Sequence, residues 1–447
     1  MLHVRQQSTA LADVNYLVVG LGLTGYSVAA YLLEHGYRCR VQDTRDIPPC
    51  LGQLKARFEA VDFYPGPLGT GLTTWADVIV VSPGLSVRQP EIEAAAERGK
   101  TVLGDVELFA RLVDKPVIAI TGSNGKSTVT TLVGAMIERD RNKVAVGGNI
   151  GTAALDLLAE KPDYYVLELS SYQLETTTSL RPRVAAVLNL CEDHLDRYAD
   201  YAEYIQSKLG IYRNAATCVS NLDDPLTRHD AGDVCFSLDP SSSAEFRLVE
   251  NDGYALAHRD EAWIKVNELK ISGRHNWANC LAAMAIARVL GISRAAIVDA
   301  MRDFAGIPHR SQWVAEIDGV EWINDSKATN VGAAKASIEG RERPVILIAG
   351  GQSKGADMSA MTDTIRDRVK LVLLLGQDAP RLQLAWQGAT EIERVRDMRA
   401  AVRRAQQVAI SGDCVLLAPA CASFDMYEKF EQRGEDFMQR VRELAND

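Results

Sequence analysis

The sequence predicts an α/β protein with three domains, each built on a mainly parallel β-sheet. Its 447 residues exceed what a single hydrophobic core normally holds. Short apolar, β-branched runs alternate with helical patterns along the whole chain, which is typical of parallel sheets with crossover helices. We expect the three domains to span residues 1–104, 105–305 and 306–447.

The composition is that of a globular protein. Hydrophobic residues make up 47% of the chain and charged residues 24%. The net charge of −10 and the lack of a basic stripe argue against nucleic-acid binding. Eight cysteines without CxxC spacing fit reduced thiols better than a disulfide framework or a zinc site. Because no secretory leader or membrane-length apolar run stands out, we expect a cytoplasmic monomer without membrane insertion.

The first domain carries a glycine turn after its first strand. Tyr16–Val19 enters GLGLTG at residues 20–25, and a second strand at Tyr37–Gln42 ends at Asp43. This is the dinucleotide-binding fingerprint of a Rossmann-like domain and, alone, would predict NAD. A lone GxGxxG is a weak signal, so the safer prediction is a nucleotide site at which the acid and the two residues after it contact the sugar or base. A further strand, Trp75–Val81, ends in an SPG loop.

The second domain opens with a phosphate-binding pattern, which predicts a P-loop-type ATPase domain. Val117–Ile120 is typical of a buried strand, TGSNGKST follows at residues 121–128, and a helical pattern begins at Val129. Glycines let backbone N–H groups approach phosphates, a helix N-terminus favours negative charge, and Lys126 neutralises that charge. Ile120 replaces the first glycine of the usual GxxxxGK[ST] loop. The alternative is a strand-to-helix turn with a chance lysine.

Acidic residues follow two further strands of this domain. Glu168 lies near the end of a strand predicted at Tyr164–Leu169, and CEDHLDR at residues 191–197 follows a strand predicted at Val184–Leu190. An acid that faces a GKS loop is the usual arrangement for holding Mg²⁺, although Glu168 could be a solvated strand end. His194 is either a structural histidine of the loop or a residue that contacts the metal ion, and we favour the second interpretation.

The remainder of the second domain is less informative. Lys208 lies on a helix predicted at Tyr201–Ala215, and its position there indicates only a solvated side chain. Residues 233–270 look β-rich and contain no motif that we can assign. Asn276 and Asn279 begin the long helix that follows, where side-chain amides can either read a base edge or cap the helix.

The third domain contains four loops of small residues that follow predicted strands. Because parallel strands end at one edge of their sheet, these loops predict a second Rossmann-like domain with a binding edge. A closing helix is predicted at residues 425–444, with Tyr427, Phe437 and Val441 among its apolar positions. The four loops are DSKATN (325–330), GGQSKGAD (350–357), the turn at Gly376 and PACASFD (419–425).

Nine segments recur in one known family, in the same order and over nearly the whole chain. They are TGSNGKST, GGNIG, ELSSYQLE, EDHLDRY, GRHNWANCLAA, IPHR, NDSKATN, GGQSKGAD and PACASFDMYEKFEQRGEDF. On these segments the chain resembles the Mur ligases, the ATP-dependent amide-forming enzymes of peptidoglycan synthesis. Within that family, GLGLTG, SNGKST and GGxxKGxD are most similar to the members that add D-glutamate.

The resemblance implies a ligase reaction. ATP would phosphorylate the carboxylate of UDP-MurNAc-L-Ala, and the amine of D-glutamate would displace phosphate through a tetrahedral intermediate. A carboxylate is a poor electrophile until one of its oxygens leaves as phosphate, and transfer between two anions needs cations. The resemblance further implies two Mg²⁺ ions and a carbamylated lysine, which corresponds to Lys208 in this chain.

The family's functional positions carry over to matching residues of this chain. Catalysis would use Lys126, Glu168, His194 and Lys208, and metal binding would use Ser127, Glu168, His194 and carbamylated Lys208. ATP would contact Gly122, Ser123, Asn124, Gly125, Lys126, Ser127, Thr128, Asn276, Asn279, Arg310 and Asp325. The UDP-substrate would contact Leu23, Thr24, Asp43, Thr44, Arg45, Gly84 and Asn149. D-Glutamate would contact Lys327, Thr329, Lys354, Ser423 and Phe424.

Two alternatives remain open. Another Mur ligase, or a folylpolyglutamate synthase-type enzyme, would share the same general organisation. An NAD-dependent oxidoreductase, suggested by GLGLTG, would leave the GKST loop and the third domain unexplained. The chain departs from the family pattern at Met358, where an aromatic residue is common, and in residues 233–270.

Overall fold

The computed structural model describes residues 14–191, 197–230, 233–250, 252–271, 273–341, 343–353 and 355–444. Over these ranges the chain forms three sheets, each mainly parallel and accompanied by helices, which confirms the predicted fold class. None of the helices in these ranges is long and apolar enough to cross a bilayer.

The first sheet is parallel throughout. Its strands are β1 (Asn15–Val19), β2 (Arg38–Asp43), β3 (Asp62–Pro65), β4 (Val78–Val81) and β5 (Thr101–Leu103). Its helices are α1 (Leu23–Glu34), α2 (Leu51–Arg57), α3 (Thr70–Trp75) and α4 (Pro90–Glu97). The strand order is β3-β2-β1-β4-β5. Because β1 lies between β2 and β4, the glycine turn, Asp43 and the SPG loop all open on one edge.

One element of this domain differs from the prediction. The strand expected from Trp75 begins at Val78, and Trp75 instead ends α3. Leu72 and Trp75 are three residues apart on one helical face and pack against the apolar core beneath β1 and β4. The guanidinium of Arg40 lies 4.1 Å from the centroid of the Trp75 ring. Tertiary packing therefore overrides the strand preference of the threonines and tryptophan.

In the described part of the chain, the second sheet has nine strands, and the strand that leads into the phosphate loop is an interior one. Its strands are β6 (Val117–Thr121), β7 (Val144–Gly148), β8 (Tyr164–Glu168), β9 (Val184–Val187), β10 (Cys218–Asn221), β11 (Val234–Ser237), β12 (Phe246–Glu250), β13 (Tyr254–His258) and β14 (Glu261–Lys265). The order is β14-β13-β12-β11-β10-β9-β6-β8-β7. Parallel pairing of β6 with both β8 and β9 brings the loops after these three strands together.

The segment without a motif completes this sheet. Residues 233–270 are β-rich as predicted, and β12, β13 and β14 pair antiparallel at the sheet edge farthest from β7. The helices that accompany the second sheet are α5 (Asp105–Ala110), α6 (Lys126–Arg139), α7 (Ser171–Glu175), α8 (Tyr201–Leu209), α9 (Arg274–Val289) and α10 (Arg294–Asp303). The segment thus has a structural place in the fold.

The third sheet begins with an antiparallel pair and is otherwise parallel. Its strands are β15 (Gln312–Ile317), β16 (Val320–Asn324), β17 (Val345–Gly350), β18 (Val369–Leu375), β19 (Glu391–Arg394) and β20 (Cys414–Leu417). Its helices are α11 (Val331–Glu339), α12 (Thr362–Arg368), α13 (Ala379–Trp386), α14 (Met398–Val408) and α15 (Phe430–Leu444). The order β15-β16-β20-β17-β18-β19 makes β16, β20 and β17 neighbours, so the loops after them share an edge.

Two predicted helices are too long. The helix expected at 201–215 ends at Leu209, and a 3₁₀ turn follows it. The closing helix begins at Phe430, so Tyr427 lies in the preceding loop, where its hydroxyl donates to Asp436 at 2.8 Å. Asp425 accepts a hydrogen bond from the backbone N–H of Gln377, which holds this stretch in a loop conformation.

The chain divides into two compact units. One contains the first two sheets together with Ala278–Met301, which covers most of α9 and of α10. The other contains Val266–Trp277 and the third sheet. Asn279 therefore belongs to the first unit and Asn276 to the second, although both lie near the start of α9.

Candidate functional site

The phosphate loop has the backbone conformation that its glycines permit. Gly122 has φ +153° and Gly125 has φ +80°, and Gly125 is the N-cap residue of α6. A Cβ on Gly125 would lie 2.2 Å from Asn279 Oδ1, so the asparagine amide rests directly against the loop. Asn279 was predicted to contact ATP, and the structure brings it to the phosphate loop.

Ser127 and Glu168 form a close oxygen pair at the start of α6. The hydroxyl of Ser127 donates to Glu168 Oε2 at 2.6 Å, and Asn149 Nδ2 donates to Glu168 Oε1 at 2.7 Å. Glu168 is 3% exposed, which rules out the alternative that it is a solvated residue at the end of its strand. A Cβ on Gly148 would lie 2.4 Å from the backbone oxygen of Glu168, so the GGNIG turn needs glycine to pack against the backbone of this residue.

Two lysines meet at the same loop carbonyl. Lys126 Nζ donates to the backbone oxygens of Gly122 and Ser123, each at 2.9 Å. Lys208 Nζ donates to the Gly122 oxygen at 2.8 Å and lies 5.0 Å from the centroid of the Tyr204 ring. Lys208 is 2% exposed. The expectation of a solvated helix residue was therefore wrong, because α8 turns this side chain inward onto the loop.

Asn189 is a loop-positioning residue that the motifs did not indicate. Its Oδ1 accepts from the backbone N–H of Asn124 at 2.8 Å, and its Nδ2 donates to the Asn124 oxygen at 3.1 Å. Ser123 Oγ lies 2.9 Å from the hydroxyl of Tyr204 and donates to the Cys191 oxygen at 3.1 Å. The loop is thus held by residues from β9 onward. In the sequence, the only indication of this role was that these residues follow β9, the strand next to β6. His194, in the same stretch, lies outside the described residues.

A cleft of about 500 Å³ opens beside the glycine turn of the first sheet. Gly25 allows the turn to close, since a Cβ there would lie 1.9 Å from the Gly20 oxygen. Gln173, from α7, reaches the cleft from the second sheet's side. All seven residues predicted to contact the UDP-substrate line the cleft: Leu23, Thr24, Asp43, Thr44, Arg45, Gly84 and Asn149.

Asp43 braces this cleft. Its carboxylate accepts from the N–H of Leu21 at 2.8 Å and from Arg45 through Nε and Nη2, each at 2.8 Å. These side-chain bonds from Arg45 lower the pKa of Asp43 to about 2, although burial opposes the shift. Leu23 is 75% exposed at the start of α1, and its side chain provides an apolar surface on which a flat base can rest.

Arg197 fastens the SPG loop to the second sheet. Its guanidinium donates to the oxygens of Pro83 and Leu85 at 3.1 and 3.0 Å and to Glu175 at 3.1 Å. It also lies 4.1 Å from the centroid of the Tyr172 ring. One arginine therefore fixes the cleft wall that includes Gly84. Its place at the end of CEDHLDR gave no sign of this contact.

Three loops of the third sheet are tied to one another. The N–H of Ala420 donates to the Ala328 oxygen at 2.9 Å, and Gln352 and Ala422 exchange two backbone hydrogen bonds. Arg433, on α15, is 2% exposed and donates to the oxygens of Ser326, Cys421 and Gly350. Burial lowers the pKa of Arg433 to about 10, which leaves it charged at neutral pH.

The predicted amino-acid contacts lie on these loops. Lys327 Nζ is 4.2 Å from the centroid of the Phe430 ring, and burial followed by Arg310 lowers the pKa of Lys327. Ser423 is buried, Thr329 is half-buried and Phe424 is exposed. Lys354 lies outside the described residues.

Three predicted ATP contacts belong to the second compact unit. Asn276 is buried near the start of α9, and Arg310 is exposed in the loop before β15. Asp325 is buried next to β16, accepts from the Ser311 hydroxyl at 3.3 Å, and has its pKa raised by burial. The remaining predicted contacts, Gly122 to Thr128, form the phosphate loop and the first turn of α6.

Comparison with known proteins covers all three domains. Residues 14–104 match the Mur ligase MurD-like N-terminal domain, residues 120–287 the Mur ligase middle domain, and residues 309–421 the Mur ligase glutamate ligase domain. The chain is 46% identical over 438 residues to a UDP-N-acetylmuramoylalanine–D-glutamate ligase of Nitrosococcus oceani, covering 96% of this chain and 97% of that one. The corresponding ligase of Pseudomonas aeruginosa is 46% identical over 447 residues, covering 98% and 100%.

Solved structures show the same fold at lower identity. A pseudomurein peptide ligase type C from Methanothermus fervidus aligns with a TM-score of 0.56 and 18% identity, over 96% of this chain and 100% of that one. UDP-N-acetylmuramate-alanine ligase MurC from Thermotoga maritima aligns with a TM-score of 0.58, 18% identity and the same coverage. With three domain matches and relatives at 46% identity over nearly the full length, the chain belongs to the Mur ligase family of ATP-dependent amide ligases.

Proposed function

We propose that this chain joins D-glutamate to UDP-N-acetylmuramoyl-L-alanine at the expense of ATP, releasing ADP and phosphate, as a cytoplasmic step of peptidoglycan precursor synthesis. The observation that carries the proposal is the Ser127–Glu168 pair beside two converging lysines, in a chain 43–46% identical to ligases of that name. We assign the UDP-substrate to residues 1–104, ATP to 105–305 and the amino acid to 306–447.

The donors next to the phosphate loop fit Mg²⁺. A hydroxyl from Ser127 and a buried carboxylate from Glu168 are hard oxygen ligands, which this ion prefers. When bound, Mg²⁺ would offset the charges of the γ-phosphate and of the substrate carboxylate. We place a second ion beside His194 and a carbamylated Lys208.

Carbamylation of Lys208 would change the charge at the loop. The ammonium group would first lose one proton to solvent, and the neutral Nζ would then add to CO₂, forming an N–C bond and releasing a second proton. A cation would thus become a monoanion. Two ammonium groups at the Gly122 carbonyl repel each other, and burial of Lys208 strengthens that repulsion. A carbamate would remove the repulsion and provide oxygen ligands for a cation.

The chain's own residues would bring the reactants together. Backbone N–H groups of the loop and Lys126 would hold the polyphosphate. A carboxylate oxygen of the substrate would attack the γ-phosphorus, and the D-glutamate amine would then attack the acyl carbon and expel phosphate. Lys327, Lys354, Thr329, Ser423 and the backbone of Phe424 would bind the two carboxylates of D-glutamate.

Phosphate release with a panel of amino acids tests this function. We expect release from ATP and UDP-MurNAc-L-Ala to require D-glutamate, with L-glutamate as the matched control for stereochemistry. If meso-diaminopimelate or L-lysine stimulated release and D-glutamate did not, another ligase of the family would be the correct assignment. Tetrahydrofolate as acceptor substrate, with L-glutamate, checks the folylpolyglutamate synthase-type alternative.

A further inference from the structure

A cluster of zinc-type ligands lies at the opposite edge of the second sheet from the phosphate loop. Cys218 is the first residue of β10, Asp233 immediately precedes β11, and His229 lies between these strands. Val219 pairs with Val234 in parallel register, so Cys218 and Asp233 lie side by side at the starts of neighbouring strands.

The spacing of the three donor atoms suits a small divalent cation. Cys218 Sγ is 3.9 Å from His229 Nδ1, and that nitrogen is 3.9 Å from Asp233 Oδ1. The three ligand atoms lie within 4.8 Å of one another. A point equidistant from atoms so spaced is roughly 2.3–2.5 Å from each, and protein ligands bind zinc at about 2.0–2.3 Å. A small contraction would complete the coordination.

The surrounding structure holds these ligands in place. The hydroxyl of Tyr212 lies 2.9 Å from the Val219 oxygen and 3.0 Å from the Thr227 oxygen, so one buried side chain contacts both ligand segments. The Tyr212 ring packs 5.2 Å from the His229 ring. Asp233 Oδ2 accepts a hydrogen bond from the backbone N–H of His229 at 2.9 Å. This bond directs the other carboxylate oxygen, Oδ1, toward the cluster.

The cluster is also rich in negative charge. Asp233 Oδ1 lies 3.9 Å from His229 Nδ1. Asp230 Oδ2 lies 3.4 Å from His229 Nδ1. A divalent cation would offset both carboxylates and would stabilise the thiolate. The exposed side of His229 gives the ion a path from solvent.

We propose that Cys218, His229 and Asp233 bind one Zn²⁺ ion that joins the starts of β10 and β11. Thiolate, imidazole and carboxylate together favour zinc over Mg²⁺ or Ca²⁺, which prefer oxygen ligands alone. On binding, the Sγ–Zn bond forms and the thiol proton passes to solvent. Asp230 or water fills the fourth position. The absence of CxxC spacing argued against a zinc site in the sequence. Such spacing cannot reveal this site, because it takes one cysteine, and pairing of β10 with β11 brings Cys218 and Asp233 together.

Cobalt binding to the metal-free, full-length chain tests the proposal. We expect one Co²⁺ per chain with a thiolate-to-cobalt charge-transfer band, and displacement of that ion by Zn²⁺. Cys218→Ser should abolish the band, and His229→Gln should weaken Co²⁺ binding at least about ten-fold. Cys191→Ser, which removes an exposed thiol near the phosphate loop, is the matched control and should leave the band unchanged.

Several outcomes would overturn the proposal. They are absence of the band in the natural chain, its persistence in Cys218→Ser, its loss in Cys191→Ser, and equal Co²⁺ affinity in His229→Gln. Circular dichroism checks that Cys218→Ser is folded, and the exposed His229 provides a variant that leaves the core intact. Since the readout is metal binding, the result is independent of the proposed ligase function.

Discussion

Lys208 and Lys126 both donate to one backbone oxygen of the phosphate loop, that of Gly122. Helical spacing cannot distinguish a solvated lysine from one that α8 presses onto a loop more than eighty residues earlier. Lys208 is 2% exposed, and a buried ammonium group is stable only when it is paired or hydrogen-bonded. A bound phosphate would pair with the ammonium form, whereas carbamylation would replace that form with an anion.

Replacing Lys208 therefore tests the site directly. We expect Lys208→Ala to lower ligase turnover by about 10²- to 10³-fold, a loss typical for a removed electrostatic contact at a reacting group. Because the missing carbamate would be an anion, added chloride or acetate should restore part of the activity. Steady-state phosphate release measures both effects.

Lys55→Ala removes an exposed lysine from α2 and serves as the control, for which turnover should be unchanged. Full activity of Lys208→Ala without any added anion would refute the carbamate assignment.

Asp105, outside the proposed reacting centre, makes a contribution to folding stability that depends on pH. It is buried at the start of α5, where Oδ2 accepts from Gln173 at 3.3 Å and Oδ1 has no partner among the described residues. Burial raises its pKa to about 6, whereas an unfolded aspartate titrates near 4. The folded state thus binds the proton more tightly, and the stability associated with this group is lost as pH rises from about 4 through 6.

Asp105→Asn should accordingly raise the melting temperature at pH 8, since it removes a buried charge. The gain should shrink as the pH is lowered to 5 and below, where the wild-type carboxyl is increasingly protonated. Thermal unfolding at both pH values measures this difference. An equal gain at the two values would contradict the shifted pKa.

At the scale of elements, Arg433 connects α15 to three separate loops. Its guanidinium donates to the oxygen of Gly350 at the end of β17 and to oxygens that follow β16 and β20. Its Nε donates to the Ser326 hydroxyl at 3.0 Å. The planar guanidinium has five N–H donors and can hydrogen-bond to carbonyl oxygens of several loops at once, whereas the smaller ammonium group of lysine cannot reach all of them. Arg433 is therefore a positioning residue for the proposed amino-acid site.

Arg433→Lys should raise the KM for D-glutamate by at least about ten-fold, since loop carbonyls left without donors would each destabilise the site by about 1–3 kcal/mol. The KM for UDP-MurNAc-L-Ala should stay within about two-fold, because its proposed cleft lies in the other unit. Arg440→Lys, on the same helix but in ion pairs with Asp436 and Glu443, is the matched control. Equal increases in both KM values would contradict a role confined to the loops of the amino-acid site.

The sequence predicted most elements, and its errors have physical causes. β6 and its GKST loop were found because apolar runs, glycines and lysine act over a few residues. Trp75 was placed in a strand because local propensity cannot register packing against β1 and β4. The roles of Asn189 and Arg433 depend on contacts between strands distant in sequence, so periodicity carries no information about them.

At the scale of the whole molecule, each sheet offers its binding loops at the ends of parallel strands. The cleft and the phosphate loop belong to one compact unit, and the loops tied by Arg433 belong to the other. A chain of net charge −10 must concentrate cations locally to handle three anionic reactants. Lys126 is one such cation, at the phosphate loop.

The transfer of oxygen from substrate to phosphate tests the central claim most directly. UDP-MurNAc-L-Ala labelled with ¹⁸O in its carboxylate is incubated with ATP and D-glutamate, and the phosphate released is analysed by mass spectrometry. Because the acyl phosphate loses phosphate together with one former carboxylate oxygen, we predict one ¹⁸O in each phosphate, and only with D-glutamate as the acceptor amine. Unlabelled phosphate, or labelling that requires a different amino acid, would contradict the account.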